Sequence, residues 1–177
     1  MSDDASIVVV DIGAQEFNSR FAQCLVLQYY RNGELHSIYK RITPIPTDFN
    51  AYRKFTNEWI SSPSNLLNID FAIYSSLSDL KANVSQWQWC NYDGNGVGYP
   101  RDCGPTGVQP HEWFHMPGGG FTMPGITAGA EFRFFEDCPI GKIITNFPTA
   151  VFPTIFPLAS ETPTQEPSTQ GNPIALR

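Results

Sequence analysis

The chain has 177 residues, of which 16% are charged and 14% aromatic, and its formal net charge is −6. Average globular domains carry roughly 25% charged residues, so this chain is poor in charge. Its acidic balance and lack of a Lys/Arg cluster exclude non-specific nucleic-acid binding, which needs basic side chains to replace counterions. The length favours a single domain, and no apolar run reaches the roughly 18 residues that a membrane-spanning helix needs.

The first strands are predicted from β-branched and apolar runs. Residues 6–12 are rich in Val and Ile, which favour a pleated surface. Two further apolar runs, 21–30 and 35–42, flank the dipeptide Asn32-Gly33. Asn-Gly between two such runs predicts a β-hairpin, because both residues tolerate positive φ.

One short helix is predicted near residues 49–60, with Asp48 as its N-cap. Its buried face would consist of residues at helical spacing: Tyr52, Phe55 and Trp59. Apolar and polar residues then alternate from Ile69 onward, which predicts a half-buried strand over 69–77.

Glycine and proline dominate the second half of the chain. Most of the 14 glycines lie between residues 91 and 129, and late strands are predicted at 130–136 and 142–147. Short strands separated by turns indicate an all-β fold, an antiparallel β-sandwich with the one short helix. The domain is expected to span 1–152, followed by a Pro/Ser/Thr-rich tail at 153–177.

The first candidate site is the run His111-Glu112-Trp113-Phe114-His115, which matches H-E-x-x-H. In zinc proteases this spacing places both histidines on one helix face and the Glu beside the metal-bound water. Pro110 and Pro117 restrict any helix here to little more than one turn. The hypotheses are a protease, another metal site, or loop residues with structural partners. A third ligand would come from a few residues: His36, Glu131 or Glu136.

A second candidate metal site resembles a calcium loop. The oxygen-bearing residues that occupy alternating positions are Asn91, Asp93, Asn95 and, at the last position, Asp102. Such oxygens converge on one cation when Gly96 permits the sharp turn. Only two of the four are carboxylates, so the alternative is an Asx- and Gly-rich turn. A divalent ion, Zn or Ca, is therefore the only cofactor considered.

The cysteines leave the redox environment open. A disulfide between Cys90 and Cys103 would close the loop and contribute about 3 kcal/mol in the chain-entropy model. The acidic start and short apolar run at 7–10 predict a chain that is cytoplasmic, or exported without a classical signal peptide. The alternative is therefore that Cys90 and Cys103 are reduced thiols. Cys24 is expected in a strand as a small buried hydrophobe.

One glycosylation sequon, Asn83-Val84-Ser85, gains meaning only if the chain is secreted.

The third candidate is a set of aromatic residues on Gly-rich loops. Its members are Trp87, Trp89, Tyr92, Tyr99, Trp113 and Phe114. Exposed rings of this kind stack on sugars or enter a lipid interface. The alternative is that the rings plug one open end of a sandwich.

The order of several short motifs resembles the aegerolysins. Cys103-Gly104 leads to Gly119-Gly120-Phe121, and the strand 130–135 runs into Asp137-Cys138-Pro139. The opening strand, followed by Gly13-Ala14-Gln15, is similar to the start of that family. The resemblance implies a β-sandwich made in the cytosol that recognises membrane lipid, sometimes with a pore-forming partner.

Three functional hypotheses follow. The preferred one is a non-enzymatic module that binds membrane lipid, or a glycan, through residues 87–121. The second is a structural subunit of a homo-oligomer or larger assembly, whose tail is ordered by neighbours. The third is a metal-dependent enzyme that uses His111 and His115.

Overall fold

The computed structural model describes residues 6–9, 12–92, 96–109 and 130–141. The strands are β1 (Ser6–Val9), β2 (Val26–Arg31), β3 (Glu34–Arg41), β4 (Phe71–Tyr74) and β5 (Ala130–Phe135). The helices are α1 (Gly13–Cys24), α2 (Ala51–Thr56) and α3 (Leu77–Ala82). The strands form one sheet in the order β1-β5-β2-β3-β4, and all neighbouring strands are antiparallel.

The predicted hairpin is confirmed. β2 pairs with β3 in a register that places Arg31 opposite Glu34. The two residues between them have positive φ, 52° for Asn32 and 83° for Gly33. Local turn chemistry therefore sets the register of the two central strands.

Helix α1 corrects the prediction for residues 21–30. The sequence predicted a strand over residues 21–30, but residues 13–24 are helical. Phe17, Phe21 and Cys24 recur at helical spacing and are all buried. The helix ends where Leu25 takes a left-handed conformation and its N–H donates to the Phe21 carbonyl at 2.8 Å.

Helix α2 is shorter than predicted and has a different cap. Its N-cap is Asn50, whose Oδ1 accepts a hydrogen bond from Arg53 N at 2.9 Å, so the prediction of Asp48 as the cap is wrong. Trp59 lies beyond the helix, where its backbone N–H donates to the Val97 carbonyl. Of the predicted buried face, Phe55 and Trp59 are fully buried and Tyr52 is half-buried.

The predicted strand at 69–77 is shorter in the structure. β4 covers only Phe71–Tyr74, and the unpredicted helix α3 follows at Leu77–Ala82, capped by the Ser76 hydroxyl. Ile69, expected to be buried, is 61% exposed because it lies in a turn before β4.

The two faces of the sheet carry different cores. The aromatic face is covered by α1, α2 and loops, and its rings include Phe17, Phe21, Tyr29, Tyr39, Phe55, Trp59, Phe71, Trp87, Tyr99, Phe132 and Phe134. The opposite face carries a smaller cluster of Cys24, Val26, Ile38, Ala72, Tyr74, Leu80 and Phe135. The fold of the described residues is thus mostly an antiparallel sheet with short helices. They contain one sheet, and the predicted strand at 142–147 and the tail lie outside them, as does the predicted domain boundary.

Candidate functional site

Three of the aromatic residues predicted to bind a ligand lie in the core. Trp87, Tyr92 and Tyr99 are 1%, 7% and 0% exposed. The Trp59 ring lies 4.9 Å from the Tyr99 ring and 5.9 Å from the Tyr92 ring, measured between centroids. These positions correct the expectation of an exposed aromatic surface, since the three rings help to fill the aromatic face.

The polar atoms of these buried rings also have partners within the protein. Trp87 Nε1 donates to Ser75 Oγ at 2.8 Å, and the Tyr92 hydroxyl donates to the Asn65 carbonyl at 3.0 Å. Buried indole and phenol groups ordinarily require such partners. Because these groups are satisfied inside the fold, their role in the described structure is packing.

Trp89 differs from the other three because it is half-buried. It forms an isolated antiparallel bridge with Gly104, with N···O distances of 3.3 and 3.0 Å. A Cβ at Gly104 would overlap the Gly107 carbonyl oxygen, so the turn that follows requires glycine at this position. The bridge therefore holds Trp89 at the surface on a fixed backbone.

A disulfide lies beside this bridge. Cys90 is bonded to Cys103, as one of the two sequence-based alternatives proposed. Trp59 Nε1 also lies 3.5 Å from Cys103 Sγ, which ties the loop to the core. The disulfide and the bridge together fasten residues 86–92 to residues 103–109; we call these two segments the stapled loops.

The other two cysteines of the chain form a second disulfide. Cys24 is bonded to Cys138, which links the end of α1 to the turn after β5. The prediction of Cys24 in a strand is therefore wrong, because Cys24 is the last residue of α1, whereas its predicted burial is confirmed. None of the four cysteines is free.

The turn at residues 65–70 is hydrogen-bonded to the stapled loops. Asn68 Nδ2 donates to the Trp87 carbonyl at 2.9 Å. Leu67 N donates to the Tyr92 hydroxyl at 3.2 Å. These two hydrogen bonds place the turn next to residues 86–92 of the stapled loops.

Large apolar side chains are exposed on this turn. Ile69 is 61% exposed and Leu66 36% exposed. Ile42, at 50% exposure, is adjacent because its N–H donates to the Asp70 carbonyl at 2.8 Å. We call Ile42, Leu66, Ile69 and the half-buried Trp89 the apolar rim.

The charges beneath the rim are buried and internally paired. The side chains of Arg41 and Asp70 are 1% and 11% exposed, with Arg41 Nη2 3.8 Å from Asp70 Oδ1. Asp70 also accepts hydrogen bonds from Thr43 Oγ1 at 2.8 Å and from Leu66 N at 2.9 Å. Arg41 donates in turn to the Ser64 carbonyl at 2.9 Å. The ion pair therefore shapes the turn without presenting charge at the rim.

A buried polar chain was missed by sequence reasoning. The register shifts between Tyr29, which pairs with Ser37, and Tyr30, which pairs with Leu35, and this shift marks a β-bulge at His36. His36 Nδ1 lies 3.2 Å from Ser37 Oγ, which lies 3.0 Å from the Tyr99 hydroxyl. Burial raises the pKa of Tyr99 far above its ordinary value. Ser37 and Tyr99 are fully buried, so these hydrogen-bonded side chains organise the core rather than contact a ligand.

The predicted metal sites lie largely outside the described residues. This applies to His111, Glu112, His115, Asp93 and Asn95, and also to the aromatic residues Trp113 and Phe114. Asn91 is exposed, and the Asp102 carboxylate lies 3.8 Å from Arg101 Nε. Of the further ligand candidates, Glu131 is paired with Arg133.

Within the described ranges no group of three or more His, Cys, Asp or Glu residues is arranged to hold a metal ion. The hypotheses of an enzyme using His111 and His115 and of assembly through residues 153–177 rest on residues outside these ranges.

The chain matches no protein-family model, and neither curated proteins nor solved structures give a significant match. The resemblance to the aegerolysins stays a prediction. None of the described helices has both the length and the apolar character needed to cross a bilayer.

Proposed function

We propose that this protein is an exported, non-enzymatic recognition module that binds an uncharged or zwitterionic membrane-lipid surface through the apolar rim. The observation that carries the proposal is the exposure of Ile69 and Leu66 on a turn hydrogen-bonded to the stapled loops. Single exposed apolar residues are common on protein surfaces, whereas several on neighbouring, hydrogen-bonded segments favour an interaction site.

The side-chain types favour lipid over a glycan. Trp89 combines an apolar ring with a polar N–H, which suits the boundary between headgroups and acyl chains. Ile42, Leu66 and Ile69 are aliphatic and offer no flat face for stacking on a sugar ring. Burying them in acyl chains would contribute about 25 cal/mol for each Å² removed from water.

The charge distribution favours a neutral lipid surface. The net charge of −6 opposes attraction to anionic headgroups, which bind polybasic segments. Arg41, the cation of the turn network, is buried and engaged with Asp70 and backbone carbonyls. Binding would therefore depend on apolar burial and be little affected by salt.

Export is proposed from the disulfides. Both pairs, Cys24–Cys138 and Cys90–Cys103, are formed in the structure. Structural disulfides persist in oxidising compartments and are rare where thiols are kept reduced. The aegerolysin-like order of motifs supports the same ligand class.

Vesicle flotation with the oxidised full chain tests the proposal. We expect binding to phosphatidylcholine vesicles, with no increase when phosphatidylserine is added. Ile69→Gln should lower the partition coefficient about five- to thirtyfold, the equivalent of about 1–2 kcal/mol of lost apolar burial. Leu66→Gln should act in the same direction.

Val84→Gln is the matched control, because Val84 is 48% exposed but follows α3, which packs on the opposite face. Its partition coefficient should equal that of the unmodified chain. Equal losses for Ile69→Gln and Val84→Gln would show that the rim is not the binding surface. Binding to a glycan array with no binding to any vesicle would overturn the lipid proposal.

A further inference from the structure

The sequon Asn83-Val84-Ser85 lies at an exposed turn of the structure. Asn83 ends helix α3 in the left-handed conformation, with φ 54° and ψ 47°. Ser85 also has a positive φ of 56°, and all three residues are exposed. This Asn-x-Ser is the only sequence of its kind in the chain. Bulky surface groups are tolerated at such a position because no neighbouring core must move.

Hydrogen bonds fix the orientation of the Asn83 carboxamide. Its Oδ1 accepts from the Tyr74 hydroxyl at 2.8 Å and from Lys40 Nζ at 3.1 Å. Among the described residues, Nδ2 takes part in no hydrogen bond. Since Nδ2 is the atom that N-glycosylation modifies, a glycan there leaves both bonds to Oδ1 in place.

We propose that Asn83 is an N-glycosylation site. The co-substrate would be a lipid-diphosphate-linked oligosaccharide. A bond forms between Nδ2 and the anomeric carbon of the first sugar, while the bond from that carbon to the phosphate oxygen breaks. The lipid diphosphate leaves with the electron pair, and the amide nitrogen loses one proton.

This inference rests on the export part of the proposed function and is independent of the lipid ligand. Two disulfides are present, and structural disulfides persist in oxidising compartments, which in eukaryotic cells include the one where this modification occurs. The glycan would cover Val84, which is 48% exposed, at the end of α3. The apolar rim consists of residues outside the sequon: Ile42, Leu66, Ile69 and Trp89.

The test is secretion of the full chain, behind a cleavable leader, from a eukaryotic host. Intact-mass spectrometry should show a discrete increase that peptide:N-glycosidase F removes. After that treatment in ¹⁸O-water, the reduced tryptic peptide 82–101 should carry the label at position 83. Secreted protein with the mass of its sequence alone would overturn the proposal, whatever the vesicle experiments show.

Two variants and a control assign the site. Asn83→Gln removes the acceptor but also disturbs the contacts with Tyr74 and Lys40, so Ser85→Ala provides a second variant that keeps Asn83. Both should abolish the mass increase. Asn32→Gln, which changes another exposed Asn of positive φ outside a sequon, should retain it. A mass increase that survives Ser85→Ala would place the modification elsewhere and refute the assignment.

Discussion

The two faces of the sheet are stabilised by different means. On the aromatic face, Phe55 alone lies within 6.2 Å of six other rings, between centroids, and most pairs meet edge-on or tilted. On the opposite face the cluster is small and largely aliphatic, and the Cys24–Cys138 disulfide lies beside it. One face thus relies on packing area and ring geometry, the other on a covalent link. Each can be weakened separately.

Phe55→Ala is expected to have the largest effect. Removing a fully buried ring from the centre of the aromatic face should lower the free energy of unfolding by about 3–5 kcal/mol, because the surrounding rings cannot collapse into the cavity. Leu80→Ala, on the opposite face, should cost less because α3 is short and can shift. Denaturant unfolding measures both, and an equal or larger loss for Leu80→Ala would contradict the comparison.

Replacing the Cys24–Cys138 disulfide should have the next largest effect. The bond joins residues 114 positions apart, so the double variant Cys24→Ala/Cys138→Ala gains much denatured-state entropy. We expect a loss of about 2–4 kcal/mol in the free energy of unfolding. Thermal and denaturant unfolding without reductant are the measurements. A double variant as stable as the parent would show that the opposite face does not need its covalent link.

The smallest effect is expected at alkaline pH and concerns Tyr39 on the aromatic face. Burial raises the pKa of Tyr39 well above its ordinary value of about 10. Above pH 10 the unfolded chain loses this proton before the folded chain, so stability falls by about 1.4 kcal/mol per pH unit for this one group. Tyr39→Phe should flatten that decline when unfolding is measured from pH 9 to 11. Identical slopes would contradict the assignment.

Local signals predicted only part of the fold. The Asn32-Gly33 turn depends on two adjacent residues, so the hairpin was predictable. Helix α1 was missed because its last residue, the buried Cys24, is followed almost at once by the apolar strand β2. The apolar residues form one continuous run, which hides the change from helical to strand spacing. Helix α3 has six residues and one buried side chain, too little for a periodic pattern.

The candidate site was harder to predict than the fold. The sequence around Trp87 and Trp89 shows that aromatic residues are present, but not which of them are buried in the core. Ile69 fits an alternating strand pattern, yet it lies in a turn because Asn68 before it has a positive φ. The spacing of apolar residues does not indicate such a turn. The apolar rim combines segments that are distant in sequence and are joined by tertiary hydrogen bonds. Its exposure is a property of the folded chain.

The outer edge of β4 bears on how the protein resists self-association. An edge strand with unpaired backbone groups is a template for strands from other molecules. Here Trp87 N donates to the Ile73 carbonyl, Asn68 N donates to the Phe71 carbonyl, and Phe71 N donates to the Leu66 carbonyl at 3.4 Å. The same loops that display the apolar rim therefore occupy the edge beside it. Although the protein exposes apolar side chains, the outer edge of β4 is therefore not open to amyloid-like pairing with strands of other molecules.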